Sequence, residues 1–119
     1  MDQSICKLTL VYPPSVADNL IELMLSMKPA IGGFTTFEAE GHGFDFSKAN
    51  IRERVRGRVE RCVLISVMPR ERAARILEAI REALPVPHMS YWLEPVFEVG
   101  RLLETMPDTQ EAGTKRAAP

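Results

Sequence analysis

Cysteine is scarce in this 119-residue chain: Cys6 and Cys62 stand far apart, each inside an apolar run, with no CxxC spacing. That excludes a disulfide framework, and both read as buried, reduced thiols. Charge of one sign is missing as well. Fifteen Lys and Arg stand against sixteen Asp and Glu, a net charge of −1, so no global field draws the chain to nucleic acid or to an acidic membrane surface. With 45% hydrophobic and 26% charged residues the composition is that of an ordinary globular domain, which argues against a mostly disordered or membrane-inserted chain. The opening MDQSICKLTLVY lacks the charged and apolar regions of a signal peptide, so the expected location is cytoplasmic. Enzyme signatures are also lacking. No serine or cysteine sits in a nucleophile motif, no paired acids stand out, and no Walker or Rossmann glycine pattern occurs, so the chain is not expected to be an enzyme.

What is present is a regular succession of elements. ICKLTLV (Ile5 to Val11) is a β-rich run closed by Pro13 and Pro14. In SVADNLIELMLSMK, Val16, Leu20, Leu23, Met24 and Met27 fall at helical spacing. PAIGG breaks that helix, and GFTTFEAEG reads as a second strand ending at Gly41 and Gly43. A polar loop runs to about Gly57, then RVERCVLISVM predicts a third strand and RERAARILEAIREAL a helix with Ala73, Ile76, Leu77, Ile80 and Leu84 on one face. The last strand is expected within HMSYWLEPVFEV, where Pro95 fits an edge position. This predicts one domain over residues 1–106, followed by a polar, aperiodic tail over 107–119 that reads as disordered.

The order β-α-β, long connection, β-α-β matches the ferredoxin-like split βαβ plan (βαββαβ), an α+β fold with both helices on one face of a four-stranded antiparallel sheet. Strands one and three then lie in the centre. Leu8, Leu10 and Val11 in one, and Val63, Leu64, Ile65 and Val67 in the other, put apolar side chains on both faces. Two helices cover one face only, so self-association is expected to bury the other.

Two local patterns carry the candidate chemistry. Arg52, Arg54, Arg56 and Arg58 recur at every second position, which on an extended arm brings their guanidinium groups to one side, suited to phosphate or carboxylate oxygens. The plainer reading is a solvated hairpin arm, partly neutralised by Glu53 and Glu60. RNA binding is not expected, because the arm has no aromatic residues on which bases could stack. Gly41, His42 and Gly43 flank an imidazole with flexible positions where strand two meets the loop. There a ligand could approach the backbone and the histidine could bind a metal or titrate, or the segment is simply a turn. Arg101, in the closing segment, joins the anion-binding candidates. A mononuclear metal site needs three or four converging ligands, and His42, His88, Cys6, Cys62 and Asp45 lack such spacing. Met24, Met27, Met68 and Met89 read as core filling, and Phe34, Phe37, Trp92 and Phe97 as core or interface residues.

SICKLTLVYPPSVADNLIELML, then GFTTFEAEGHG with its polar arm, then MSYWLEPVFEVGRLLE together resemble the PII-like proteins called DUF3240, over about residues 4 to 104. The resemblance implies a ferredoxin-like subunit assembled as a homotrimer, with the loop over residues 43–57 projecting as the PII T-loop does and meeting a small anionic ligand or a protein partner. It also implies a regulatory role, in a setting often linked to heavy-metal efflux and resistance. Two departures weigh on this. PII proteins that hold ATP or ADP use a glycine- and lysine-rich loop between helix two and the last strand, where this chain has LPVPHMS; and the only tyrosines, Tyr12 and Tyr91, fall outside the arm, so T-loop uridylylation is not expected. A nucleotide or a divalent metal is the candidate cofactor, and the alternative to the PII-like reading is a CutA-like protein in which His42 or the sulfur ligands bind a divalent metal.

Overall fold

The computed structural model describes residues 4–43 and 59–103. The arginines at 52, 54, 56 and 58, Asp45, most of the 43–57 loop, and the 107–119 tail lie outside the described residues.

Four strands and two helices make up the chain in the order β1 (Ile5–Tyr12), α1 (Ala17–Ser26), β2 (Thr35–Gly41), β3 (Val59–Pro69), α2 (Arg70–Ala83) and β4 (Ser90–Pro95). The sheet order is β2-β3-β1-β4 with every neighbouring pair antiparallel. That is the ferredoxin-like arrangement expected from the sequence.

Local chemistry explains where the elements start and stop. Proline cannot donate to a ladder and favours a first helical turn, and accordingly Pro13 follows β1 while Pro14 opens a single 3₁₀ turn, Pro14–Val16, that leads into α1. The helix ends at Ser26, with Met27 already extended, two residues before Pro29, whose ring disfavours helical geometry at the preceding residue. It is therefore shorter than the spacing over residues 15–28 suggests. The return to β2 is pinned to the neighbouring strand by the Ser66 hydroxyl, which donates to the Gly33 carbonyl at 2.6 Å. Arg72 donates to the Pro29 carbonyl at 2.6 Å and ties the first turn of α2 to the same connection. β4 is half the length of the segment that reads as strand, 88–99. Its partner β1 begins at Ile5, and Val96 makes the last backbone bond, donating to the Ile5 carbonyl at 3.0 Å. Among the described residues β1 offers no further position for residues beyond it to pair with.

Side-chain alternation divides the sheet into two unlike faces. Cys6, Leu8, Leu10 and Tyr12 of β1 join Leu64 and Met68 of β3, Leu20 and Met24 of α1, and Ala73, Ile76, Leu77 and Ile80 of α2 in one buried core. Met27, Phe34, Leu84, Met89 and Leu93 pack at its margin. The opposite face holds Val11 and Thr9 of β1, Val63, Ile65 and Val67 of β3, Phe37 of β2 and Trp92 of β4. No helix among the described residues lies over it. Phe37 and Trp92 are about half exposed there, and the buried Thr9 hydroxyl has no hydrogen-bond partner among the described residues. No helix among the described residues is long and apolar enough to cross a membrane.

Candidate functional site at the hairpin base

The end of β2 delivers the Gly41, His42 and Gly43 turn to the base of the connection between β2 and β3. Gly41 is the last paired residue, opposite Val59, while His42 and Gly43 are exposed. Gly43 adopts φ of 80°, a region that a residue bearing a Cβ enters only at a cost. The turn thus bends the chain as it leaves β2.

Beneath this turn the register builds an acidic wall. Glu40 lies directly opposite Glu60, and Glu38 opposite Cys62. Like charges in that position disfavour each other. Together with Pro14, Ala39 and Arg61 these residues line an open cavity of about 470 Å³. The Arg61 guanidinium donates to the Glu60 carbonyl at 2.8 Å. Burial pushes the Cys62 thiol above its ordinary value, and the Glu38 and Glu60 carboxylates push it further in the same direction. A thiol held protonated in this way is a poor nucleophile at neutral pH. Tyr12, which pairs with Cys62 in the β1–β3 register, is also raised, chiefly by its own burial and then by Cys62.

A second cavity of about 290 Å³ opens where α2 gives way to β4, lined by Leu10, Leu77, Ile80, Leu84, Val86, Met89 and Tyr91 with Arg81 at its rim. Its chemistry is apolar. A phosphate cradle needs several backbone N–H groups pointing at one place, and the LPVP segment does not supply them. Pro85 and Pro87 have none, the Val86 N–H donates to the Leu84 carbonyl, and the Leu84 N–H to Ile80.

Of the residues expected to bind ligand, the structure brings Gly41, His42 and Gly43 together at one corner of the sheet. Arg101 follows β4, on the opposite edge and beyond the opposite end of the sheet, since Gly41 pairs with the start of β3 whereas Pro95 pairs with Cys6 near the start of β1. Within one copy the turn and Arg101 do not meet. Arg54, Arg56 and Arg58 lie outside the described residues. Among the described residues no group of three His, Cys, Asp or Glu side chains is placed to hold a metal ion. The acidic wall is the feature that sequence reading missed. Its signal was the spacing of Glu38 and Glu40 in FEAEG, which puts both on one face of the strand.

A protein-family model described as "Protein of unknown function (DUF3240)" matches residues 1–103. The chain belongs to the DUF3240 family. A crystal structure of a DUF3240 family protein from Shewanella baltica OS155 superposes with a TM-score of 0.67 at 18% identity, covering 83% of this chain and 97% of that one. CPII, a nitrogen regulatory PII-like protein from Thiomonas intermedia K12 bound to ADP, AMP and bicarbonate, gives 0.60 at 17% identity, covering 82% and 93%. The B. subtilis GlnK–ATP complex gives 0.61 at 14% identity, covering 92% of each chain. At these identities the likeness is one of fold. A comparison with curated proteins finds no match. This DUF3240 chain therefore shares the fold of these PII-like proteins.

Proposed function

We propose that this DUF3240 chain is a cytoplasmic, non-enzymatic, PII-like regulatory protein. It acts as a homotrimer and binds a small anionic ligand, or an acidic partner protein, through the loop over residues 43–57. The observation that supports the reading is the arginine-rich sequence that follows the Gly41–Gly43 turn, where His42 and Gly43 are exposed at the end of β2. Loops of this length inside a compact domain are usually functional. The open apolar sheet face supports the assembly, because monomers rarely leave such a patch uncovered. A trimer also gives Arg101 a route to the site, from the copy next to the one that supplies the turn.

The chemistry of the site favours arginine over backbone as the anion holder. The LPVP segment offers phosphate no convergent N–H groups, so a nucleotide would place its base against apolar side chains and rely on guanidinium groups for its charge. Bicarbonate or a partner's carboxylates meet the same groups. The family setting links such a signal to heavy-metal efflux.

Arg56→Ala with Arg58→Ala tests this directly. Calorimetric titration with ADP, ATP and bicarbonate is expected to show binding to the unchanged protein and a tenfold to hundredfold loss in the double variant, as removing charge-assisted hydrogen bonds costs about 1.5–3 kcal/mol. The loss is expected to shrink as salt is raised. Full affinity in the double variant would return the arm to a solvated hairpin. The same titration with divalent cations tests the CutA-like alternative at His42.

A further inference from the structure

The cavity where α2 gives way to β4 has a floor of core residues and a mouth open to water. Leu10, Leu77 and Ile80 lie buried in that floor, Val86 and Met89 are partly buried at the lip, and Tyr91 is 47% exposed. Tyr91 stands opposite the core residue Leu10 in the register, so its ring is on the helix side of the sheet. The lip is held by its backbone. Pro85 and Pro87 fix two φ angles, the Val86 N–H donates to the Leu84 carbonyl at 2.8 Å, and His88 adopts φ of 69°, a left-handed conformation that costs a residue bearing a Cβ. A flexible connection would let the lip collapse onto the apolar floor; this one is stiff, and a cavity of about 290 Å³ stays open. A site shaped before its ligand arrives avoids the entropy of ordering on binding.

Charge selects the occupant. Arg81 is the one charged residue in the lining among the described residues. It pairs with Glu78 through Nη1 at a long 3.4 Å, and the Glu78 side chain is 65% exposed. An exposed pair of this kind is weak, so a ligand carboxylate takes the fork and Glu78 returns to water. The carbonyl end of α2 opposes an anion with about half an elementary charge, less than the whole charge on Arg81. We propose that this cavity binds a small amphipathic acid, its apolar body on Leu77, Ile80 and Met89 and its carboxylate on the Arg81 guanidinium. Size sets the body. A cavity of about 150 Å³ holds benzene, so one of about 290 Å³ takes a fused ring pair or a chain of about eight carbons. A nucleotide is larger and has too many polar groups for this lining. The site lies at the β4 edge and the Gly41–Gly43 turn at the β2 edge, so the two readings stand independently.

Octanoate, octan-1-ol and octylamine share one body and differ in the head, and methyl NMR titration of the full chain with each reads the site. Octanoate is expected to saturate below its micelle concentration and to shift the methyls of Leu77, Ile80, Val86 and Met89. Octanol is expected to bind about tenfold more weakly, the scale of a lost charge-assisted hydrogen bond, and octylamine more weakly still. Arg81→Gln is expected to bring octanoate down to the affinity of octanol and to leave octanol unchanged. Met89→Trp, which fills the mouth from the margin of the core, is expected to abolish binding of all three with unchanged circular dichroism. Failure of octanoate to saturate overturns the site. So do shifts confined to Val63, Ile65 and Val67 on the uncovered face, or an affinity that Met89→Trp does not touch. Equal binding of the three heads, or equal weakening of octanoate and octanol by Arg81→Gln, overturns the assignment of an acid.

Discussion

Cys62 sits among influences that all disfavour its thiolate. Burial strips water from the sulfur, and the Glu38 and Glu60 carboxylates add repulsion. The linkage follows in sign: a folded-state pKa raised above the unfolded value leaves stability intact while the thiol is protonated in both states. Stability falls as pH climbs from the unfolded value through the folded one. In urea melts, Cys62→Ala is therefore expected to lose less stability than the unchanged protein between pH 8 and pH 10, and at pH 8 the native thiol is expected to react with a disulfide reagent more slowly than free cysteine. Reaction as fast as free cysteine would mean that the carboxylates do not act on it. At this scale the sequence was partly readable. An apolar neighbourhood is visible around Cys6 and Cys62 in the letters, and Met24 and Met68 fill the core as their spacing suggests. Of the two carboxylate neighbours of Cys62, Glu60 stands two positions away on the same strand and is written in the letters, whereas Glu38 is not. It arrives from another strand, and a strand's own spacing tells which of its residues share a face without telling what lies opposite.

The central strands β1 and β3 pair on both edges and share one buried core with the two helices. Leu64, fully buried on β3, is expected to lose about 2–5 kcal/mol on replacement by alanine, the range for a cavity in a packed core. Val67, partly exposed three residues on along the same strand, is expected to lose about 1 kcal/mol or less on the same change in the monomer, as its methyls give up little buried surface. Thermal or urea melts of the two variants check the contrast, and equal losses would show that the open face is already filled. Element order, helix faces and the two-sided apolar character of β1 and β3 were legible because periods of 3.6 and 2 are written in the letters. Register was not. The long connection between β2 and β3 leaves the hairpin pairing open, and it is the register that sets Glu40 against Glu60. The end of β4 was hidden for a related reason: VFEV is as β-prone as the strand before it, but β1 starts too late to give it a partner.

At the scale of the whole molecule, one face is finished and the other is not. A charge placed on the unfinished face discriminates folding from assembly. Ile65→Lys is expected to yield a monomer that keeps its helical circular dichroism, because α1 and α2 pack on the other side of the sheet; sedimentation together with far-ultraviolet spectra reads both. Persistence of the trimer would place the interface elsewhere. A subunit with an open face and two unpaired edge strands also carries a hazard. Edge strands are templates for further strand pairing, and a sheet that can add copies without limit makes fibres. Pro95, at the last position of the β4 edge, contributes no N–H to any incoming strand, and beside it Glu94 pairs with Lys7 at 3.3 Å. On the far edge Glu38 and Glu40 would have to meet an added strand with their charges. These few residues oppose open-ended strand addition, so loss of Pro95 is expected to show itself as turbidity on storage before it shows itself as any change in melting temperature.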